Sequence, residues 1–360
     1  MKDGIILTHG CTVGLDLGDK YSQYCALATD GEVVQEGRVR TTPEALQGWF
    51  SSLQACRVAL EAGTHSPWVS RLVKEIGHEV IVANPRKLRL IYENNDKCDQ
   101  VDARYLARVA RMDPTLLAPL RHRGAIAQAD LAILRARDAL VRARTKLVNH
   151  VRGAVKSFGG RLPTGSTHAF VKKVSPHVPE ELKPALEPLI RSIQELSDRI
   201  AGQDQRIEGL VAKYPETKNL RQVAGVGPLT SMSFILTLED PARFKKSRTV
   251  GSFLGLRPRK DDSGKRESQL GISKAGDTFL RRLLVSSAHY ILGPFGPDTD
   301  LRRWGLALAQ RGGKNAKKRA IVAVARKLAV LLHRLWVSGK AYEPLRNSKS
   351  TKIQAKVVSA

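Results

Sequence analysis

Asp96-Lys97-Cys98-Asp99-Gln100-Val101-Asp102-Ala103-Arg104-Tyr105-Leu106-Ala107 is the stretch around which the chain is organised. Val101, Tyr105, Leu106 and Val109 recur at helical spacing, so it reads as the opening turns of an amphipathic helix. Asp99 and Asp102 stand three apart, which sets their carboxylates on one face with Cβ atoms roughly 5–6 Å apart. Like charges so placed repel unless a cation lies between them. An acidic first turn also complements the helix dipole, and alone the pair says no more than that.

The residues upstream add to it. Thr12-Val13-Gly14-Leu15-Asp16-Leu17 reads as a short buried strand and Tyr24-Cys25-Ala26-Leu27-Ala28 as a second. Asp30-Gly31 is a hairpin turn signal, and residues 33–39 make a third strand. Thr42-Pro43-Glu44 opens a helix with Thr42 as its cap. Arg57-Val58-Ala59-Leu60-Glu61 is a fourth strand ending in an acid. Ser66-Pro67-Trp68 starts a second helix that stops at Gly77, and Glu79-Val80-Ile81-Val82-Ala83 is a fifth strand. Three hairpin-linked strands, then helix, strand, helix, strand, helix, resemble the α/β ribonuclease-H-like fold, a mixed five-stranded sheet with helices. That order brings Asp16, Glu61, Asp99 and Asp102 to one end of the sheet. Buried strand ends seldom hold carboxylates without a partner. Oxygen-only donors suit Mg²⁺ or Mn²⁺, and two such ions ~4 Å apart clamp the attacking and leaving oxygens of a phosphodiester displacement.

Composition narrows the partner. Lys and Arg number 60 against 34 Asp and Glu, a net charge of +26 that calls for a polyanion. No run approaches the length of a membrane span, and no basic segment followed by an apolar run opens the chain, so nucleic acid is the expected partner and membrane is not. Aromatic residues are only 5%, which disfavours large stacking platforms for single-stranded bases. Cys11, Cys25, Cys56 and Cys98 form no CxxC pair, so neither zinc nor a disulfide framework is expected, and a reducing cytoplasm fits.

Further along, residues 121–161 are basic with an apolar stripe through Leu131, Leu134, Leu147 and Val151, the pattern of a long helix. A second helical stretch covers residues 186–214, with a Gly/Pro-rich loop at 159–184 between them. The pair reads as a helical hairpin or a coiled-coil arm that meets another subunit. Gly225-Val226-Gly227 between apolar helices resembles a helix-hairpin-helix element, whose glycines let backbone N–H groups approach phosphate, although a plain interhelical turn has the same pattern. Ser263-Gly264 then falls in a polar loop among Arg257, Arg259, Lys260, Lys265, Arg266 and Lys274. A serine in a basic loop more often contacts phosphate than attacks it, and it becomes a nucleophile only when a base or metal removes its proton. Arg281, Arg282, Lys314, Lys317, Lys318 and Arg319 extend the candidate nucleic-acid surface. The expected division is 1–118 catalytic, 119–214 helical arm, 215–345 mainly helical C-terminal domain, and 346–360 a disordered basic tail.

Gly14-Leu15-Asp16, Leu60-Glu61-Ala62-Gly63-Thr64, Ala83-Asn84-Pro85, Lys97-Cys98-Asp99-Gln100-Val101-Asp102-Ala103, Gly225-Val226-Gly227, Gly255-Leu256-Arg257-Pro258, Ser263-Gly264 and Ile272-Ser273-Lys274-Ala275-Gly276-Asp277 together resemble a known family. Nearly the whole chain is similar to insertion-sequence transposases of the IS110 group, bridge-RNA-guided recombinases that pair a DEDD ribonuclease-H-like domain with a serine-bearing transposase domain. The resemblance implies that Asp16, Glu61, Asp99 and Asp102 are the metal-binding acids and that Ser263 attaches covalently to DNA. It also implies a structured non-coding RNA that pairs with donor and target DNA, strand exchange in a tetramer assembled from dimers, and a bacterial, nucleoid-associated setting. Cys98 stands where members often have threonine. A metal-dependent nuclease or junction resolvase would use the same acids with water as nucleophile, and a non-catalytic nucleic-acid scaffold would use none of them.

Overall fold

At the centre of a five-stranded sheet lies β1 (Thr12–Asp16), an apolar run whose side chains are buried on both faces up to Asp16. The structure, a computed structural model, describes residues 10–87, 98–263 and 266–347, with backbone alone for His168, 260–263 and 266–269. On one side β1 pairs antiparallel with β2 (Tyr21–Leu27), which pairs antiparallel with β3 (Val33–Arg40). On the other side it pairs parallel with β4 (Arg57–Glu61), and β4 pairs parallel with β5 (Glu79–Ala83), giving the order β3-β2-β1-β4-β5. This mixed sheet is the one expected, with β4 and β5 at the expected bounds.

Alternation along the strands decides which helix covers which face. Val13, Leu15, Val58 and Leu60 point to a core built with Leu46 and Phe50 of α1 (Pro43–Ser51) and Val69 and Val73 of α2 (Ser66–Ile76). Thr42 caps α1 by accepting from Ala45 N at 3.3 Å, and α2 ends at Gly77 in the left-handed region. The opposite face takes α3 (Asp99–Met112), whose Leu106 and Ala110 pack with Ala59, Ile81 and Ala83. Gly14 is the seat of that helix: a Cβ there would stand 1.9 Å from Ala103 O and 2.5 Å from Ala107 N. Cys98, the N-cap of α3, makes no side-chain cap bond, as expected of a thiol in place of a hydroxyl. All four cysteines are free, and three are buried.

Two compact units divide the chain, Met1–Ala125 and Ile126–Ala360. All of α4 (Ala125–Ser157) but its first residue belongs to the second. After the short α5 (Phe170–Val174) comes α6 (Lys183–Val211), antiparallel to α4. Polar rungs cross the hairpin: Tyr214 Oη donates to Asp130 at 2.7 Å, Arg137 forks onto Asp204, and Arg144 donates to Ser197 Oγ at 3.1 Å. The expected open loop at 159–184 is in fact structured. Phe170, Val174 and Val178 bury against Val151, Val155, Leu186 and Ile190, so its Gly and Pro punctuate a small core.

Beyond the arm, α7 (Thr217–Leu220) is a single turn rather than the full helix expected before Gly225-Val226-Gly227. Then α8 (Pro228–Leu238) is buried from Thr230 to Leu238, its hydroxyls Thr230, Ser231, Ser233 and Thr237 included. α9 (Arg248–Phe253) follows, and a two-stranded hairpin of β6 (Pro258–Ser263) and β7 (Arg266–Ile272) projects next. α10 (Thr278–Leu292), α11 (Asp300–Gln310) and α12 (Ala316–Ser338) close the core, with Leu280, Leu284, Val324 and Leu328 at its centre. Among the described residues no helix is long and apolar enough to cross a membrane. Of the expected tail at 346–360, residues 346 and 347 are helical and Asn347 N donates to Asp300 at 2.8 Å; residues 348–360, like Gly264 and Lys265, lie outside the described residues.

Candidate active site

Asp16 and Glu61 end neighbouring parallel strands. The register pairs Gly14 with Ala59 and Leu15 with Leu60, so one step further the two acids stand side by side, with strands about 4.8 Å apart. Both lie on the α3 face, because Gly14 and Ala59, two residues earlier, point there. The helix runs against β1: at its far end Arg111 Nη2 donates to Thr29 O at 2.6 Å, beyond Leu27, the partner of Thr12 at the start of β1. Its first turn, with Asp99 and Asp102, therefore arrives at the strand ends that hold Asp16 and Glu61. The sheet thus gathers the predicted acids at one corner.

The side chains do not go further than that. Among the described residues, no three of the His, Cys, Asp and Glu side chains close into a metal-holding group. Asp99 is exposed at the first residue of its helix, and Asp16, Glu61 and Asp102 each interact with other groups of the chain. As a donor set the corner still fits a hard divalent cation, being oxygen-only and drawn from rigid elements.

The position of α3 is braced by a fork. Arg104 Nε and Nη2 each donate to Glu36 on β3 at 2.7 Å, and Gln100 donates to the same carboxylate at 3.1 Å. The Arg104 hydrogen bonds, against the desolvation that opposes them, hold the Glu36 carboxyl at about 2.

Sequence reading missed the turn that follows Glu61. Ser66 Oγ accepts from Gly63 N at 2.9 Å, lies 2.8 Å from Gly63 O, and meets His122 Nε2 at 2.8 Å. Burial, with Arg123 and Arg71 nearby, lowers the His122 pKa. His65, at the start of α2, accepts from Trp68 Nε1 and turns Nε2 toward Asp19 at 3.5 Å. The available signal was the polar cluster Gly63-Thr64-His65-Ser66 placed directly after a strand-end acid.

Ser263 is not in a loop. It ends β6 and pairs with Arg266 across the hairpin, a turn that the Ser-Gly dipeptide between two polar strands signals. The hairpin's base is held by Ser273 N to Arg257 O and Lys274 N to Gly255 O. Lys260 and Arg266 lie on the same two strands, Arg257, Arg259 and Lys274 are exposed beside them, and Lys265 falls outside the described residues.

Arg281 needs a correction. Its side chain is 9% exposed and donates to Leu254 O, Ala275 O and Thr278 Oγ1, so it ties the hairpin's base to α10 rather than facing a ligand. Asp277 caps that helix through Leu280 N and pairs with Arg135 of α4. Arg282, though exposed, is paired with Asp138. Lys314, Lys317, Lys318 and Arg319 are all exposed at the start of α12. Gly225 and Gly227 form the turn before α8, Gly225 with φ +79°.

A DEDD transposase family profile of the IS110 type matches residues 13–159, and that of the transposase IS116/IS110/IS902 family matches residues 217–298. A probable family 20 transposase of Pseudomonas aeruginosa is 31% identical over 92% of this chain and 98% of its own length. The transposase for insertion sequence element IS1111A of Coxiella burnetii is 28% identical over 95% of this chain and 92% of its own. A pilin gene-inverting protein of Moraxella bovis is 28% identical over 39% of this chain and 44% of its own.

Proposed function

Because the chain belongs to the IS116/IS110/IS902 family of insertion-sequence transposases, we propose that this DNA transposase cleaves and rejoins DNA through a phosphoserine on Ser263, with Asp16, Glu61, Asp99 and Asp102 as its metal-binding acids. The observation that carries this reading is the side-by-side placement of Asp16 and Glu61 at the strand ends reached by the first turn of α3. A divalent cation, Mg²⁺ or Mn²⁺, supplies Lewis-acid stabilisation at that corner when bound. Ser263 Oγ forms a new bond to phosphorus as the bond to the departing strand oxygen breaks. The serine proton passes to a base and the departing oxygen takes one up; rejoining reverses both transfers.

Arg257, Arg259, Lys260, Lys265, Arg266 and Lys274 neutralise the charge that develops on the phosphate. Gly225 and Gly227 let a helix-hairpin-helix-like turn approach the backbone, and Arg282 with the α12 cluster extends the contact. Cations in the first turn of α12 oppose the helix dipole, a placement that an approaching polyanion relieves. The acids of one subunit act with the serine of another, in a dimer that assembles to a tetramer. Base choice is delegated to a non-coding RNA paired with both DNA partners, and sequencing the RNA that copurifies, then testing its pairing, checks this part.

Support for recombination rather than simple hydrolysis comes from the similarity to a protein named for gene inversion. A plasmid recombination assay tests the proposal. Asp102→Asn and Ser263→Ala each abolish recombinant joints while leaving nucleic-acid binding intact. A Ser263→Ala protein that still forms joints overturns the phosphoserine route and returns the site to water-driven cleavage.

A further inference from the structure

Beside the Gly225-Val226-Gly227 turn lies a cavity of about 480 Å³ that the proposed chemistry leaves unused. It is lined largely by apolar surface, from Val223 and Val226 of the turn and from Leu283 and Tyr290 of α10. Tyr290 is 47% exposed, although its helix, α10, is one of the central helices of the C-terminal core. The ring is held in place by a glycine. A Cβ at Gly225 would stand 3.0 Å from Tyr290 Cδ1 and 3.1 Å from Ser287 O, and φ there is +79°, so a side chain would push the ring out of position. Exposed Ser286 and buried Thr230 bring hydroxyls, and Arg221, which also faces Glu208 at 3.7 Å, brings a positive charge. Arg221 also lines a second depression of about 350 Å³, shared with Lys218.

We propose that this cavity takes one unpaired nucleobase, stacked on Tyr290, with its flanking phosphate at Arg221 and the next nucleotide directed toward Lys218. An aromatic face beside hydroxyls suits the π surface and polar edge of a base, and a cation between two depressions suits a sugar–phosphate spacing. A chain of net charge +26 brings the strand there. The low aromatic content agrees, since this is a site for a single base and not a platform. The turn beside it is the one assigned above to backbone contact. The two readings part on whether the base matters.

The test measures equilibrium binding of the full-length protein to a twelve-nucleotide single strand and to an abasic strand of equal length, each as DNA and as RNA. Tyr290→Ala weakens binding of the base-bearing strand about tenfold and leaves the abasic strand unchanged, while Tyr290→Phe restores it. Ser286→Phe, at an exposed rim position, fills the cavity and reproduces the loss without disturbing the core. The sugar bound more tightly identifies which nucleic acid supplies the base. Equal weakening of both strands, or no change with either variant, overturns the proposal. Unchanged abasic binding keeps backbone contact standing either way.

Discussion

The backbone carbonyl of Ala103 lies where a side chain at Gly14 would be, 1.9 Å from the Cβ any other residue would bring. Sheet and helix therefore meet backbone to backbone, and the acids two residues on from Gly14 and at the start of α3 depend on that contact. Gly14→Ala is expected to lose about 3 kcal/mol, since neither the central strand nor the helix can yield cheaply. Urea unfolding measures the loss, and the variant should be inactive in recombination. A variant with wild-type stability would mean that the helix is seated by something else.

The Glu36–Arg104 fork makes the acid limb of stability predictable. Arg104 hydrogen bonds hold the folded carboxyl at about 2, against 4.5 in an ordinary glutamate. The folded form is thus the weaker proton binder, so the contribution is complete above pH 4.5 and disappears as pH falls toward 2. Glu36→Gln should flatten the decline of the urea midpoint across that window and lower the midpoint at neutral pH. An unchanged acid limb would remove the fork from the account.

His122 acts in a different window. Burial, Arg123 and Arg71 depress its pKa below the ordinary 6.5, so the folded chain binds its proton less readily than the unfolded chain. Its contribution is complete above about pH 6.5 and is lost as pH falls below that toward the depressed value. His122→Gln should remove this slope. Ser66→Ala, which frees the turn after Glu61, should lower recombination about tenfold and raise the divalent-cation concentration it needs, as loss of a group supporting a ligand does. Wild-type cation dependence would leave Ser66 a merely structural serine.

In the arm, Arg144 is 7% exposed, and its Nε has no hydrogen-bond partner among the described residues. Desolvation lowers its pKa. A buried cation so poorly paired costs stability, so Arg144→Met should leave the protein as stable or up to about 2 kcal/mol more stable. Thermal unfolding decides it, and a clear loss of stability would show that Arg144 has a partner in the assembly.

Much of this was legible from the residues. β5 was bracketed by Gly77 and Asn84-Pro85, β4 was closed by Gly63, and Thr42-Pro43 and Gly77 marked helix ends through capping chemistry that acts locally. Asp16 and Glu61 stood out because carboxylates at the ends of apolar strands have no bland explanation. What was hidden depends on contacts distant in sequence. Phe170, Val174 and Val178 sit among Gly and Pro and look like loop residues until the hairpin supplies a surface to bury them. Arg281 sits beside Arg282 and reads as equally basic, yet three oxygens from its own unit enclose it. The Ser66–His122 contact joins residues 56 apart, beyond any local pattern.

Covalent capture is the most direct test of the central claim. The full-length protein is incubated with its DNA and a divalent cation, denatured, and digested for peptide mass analysis. The account predicts a nucleotide linked to Ser263, absent from Ser263→Ala and from Asp102→Asn. Strand cleavage by the wild-type protein with no DNA attached to Ser263 at any time in the reaction would contradict it.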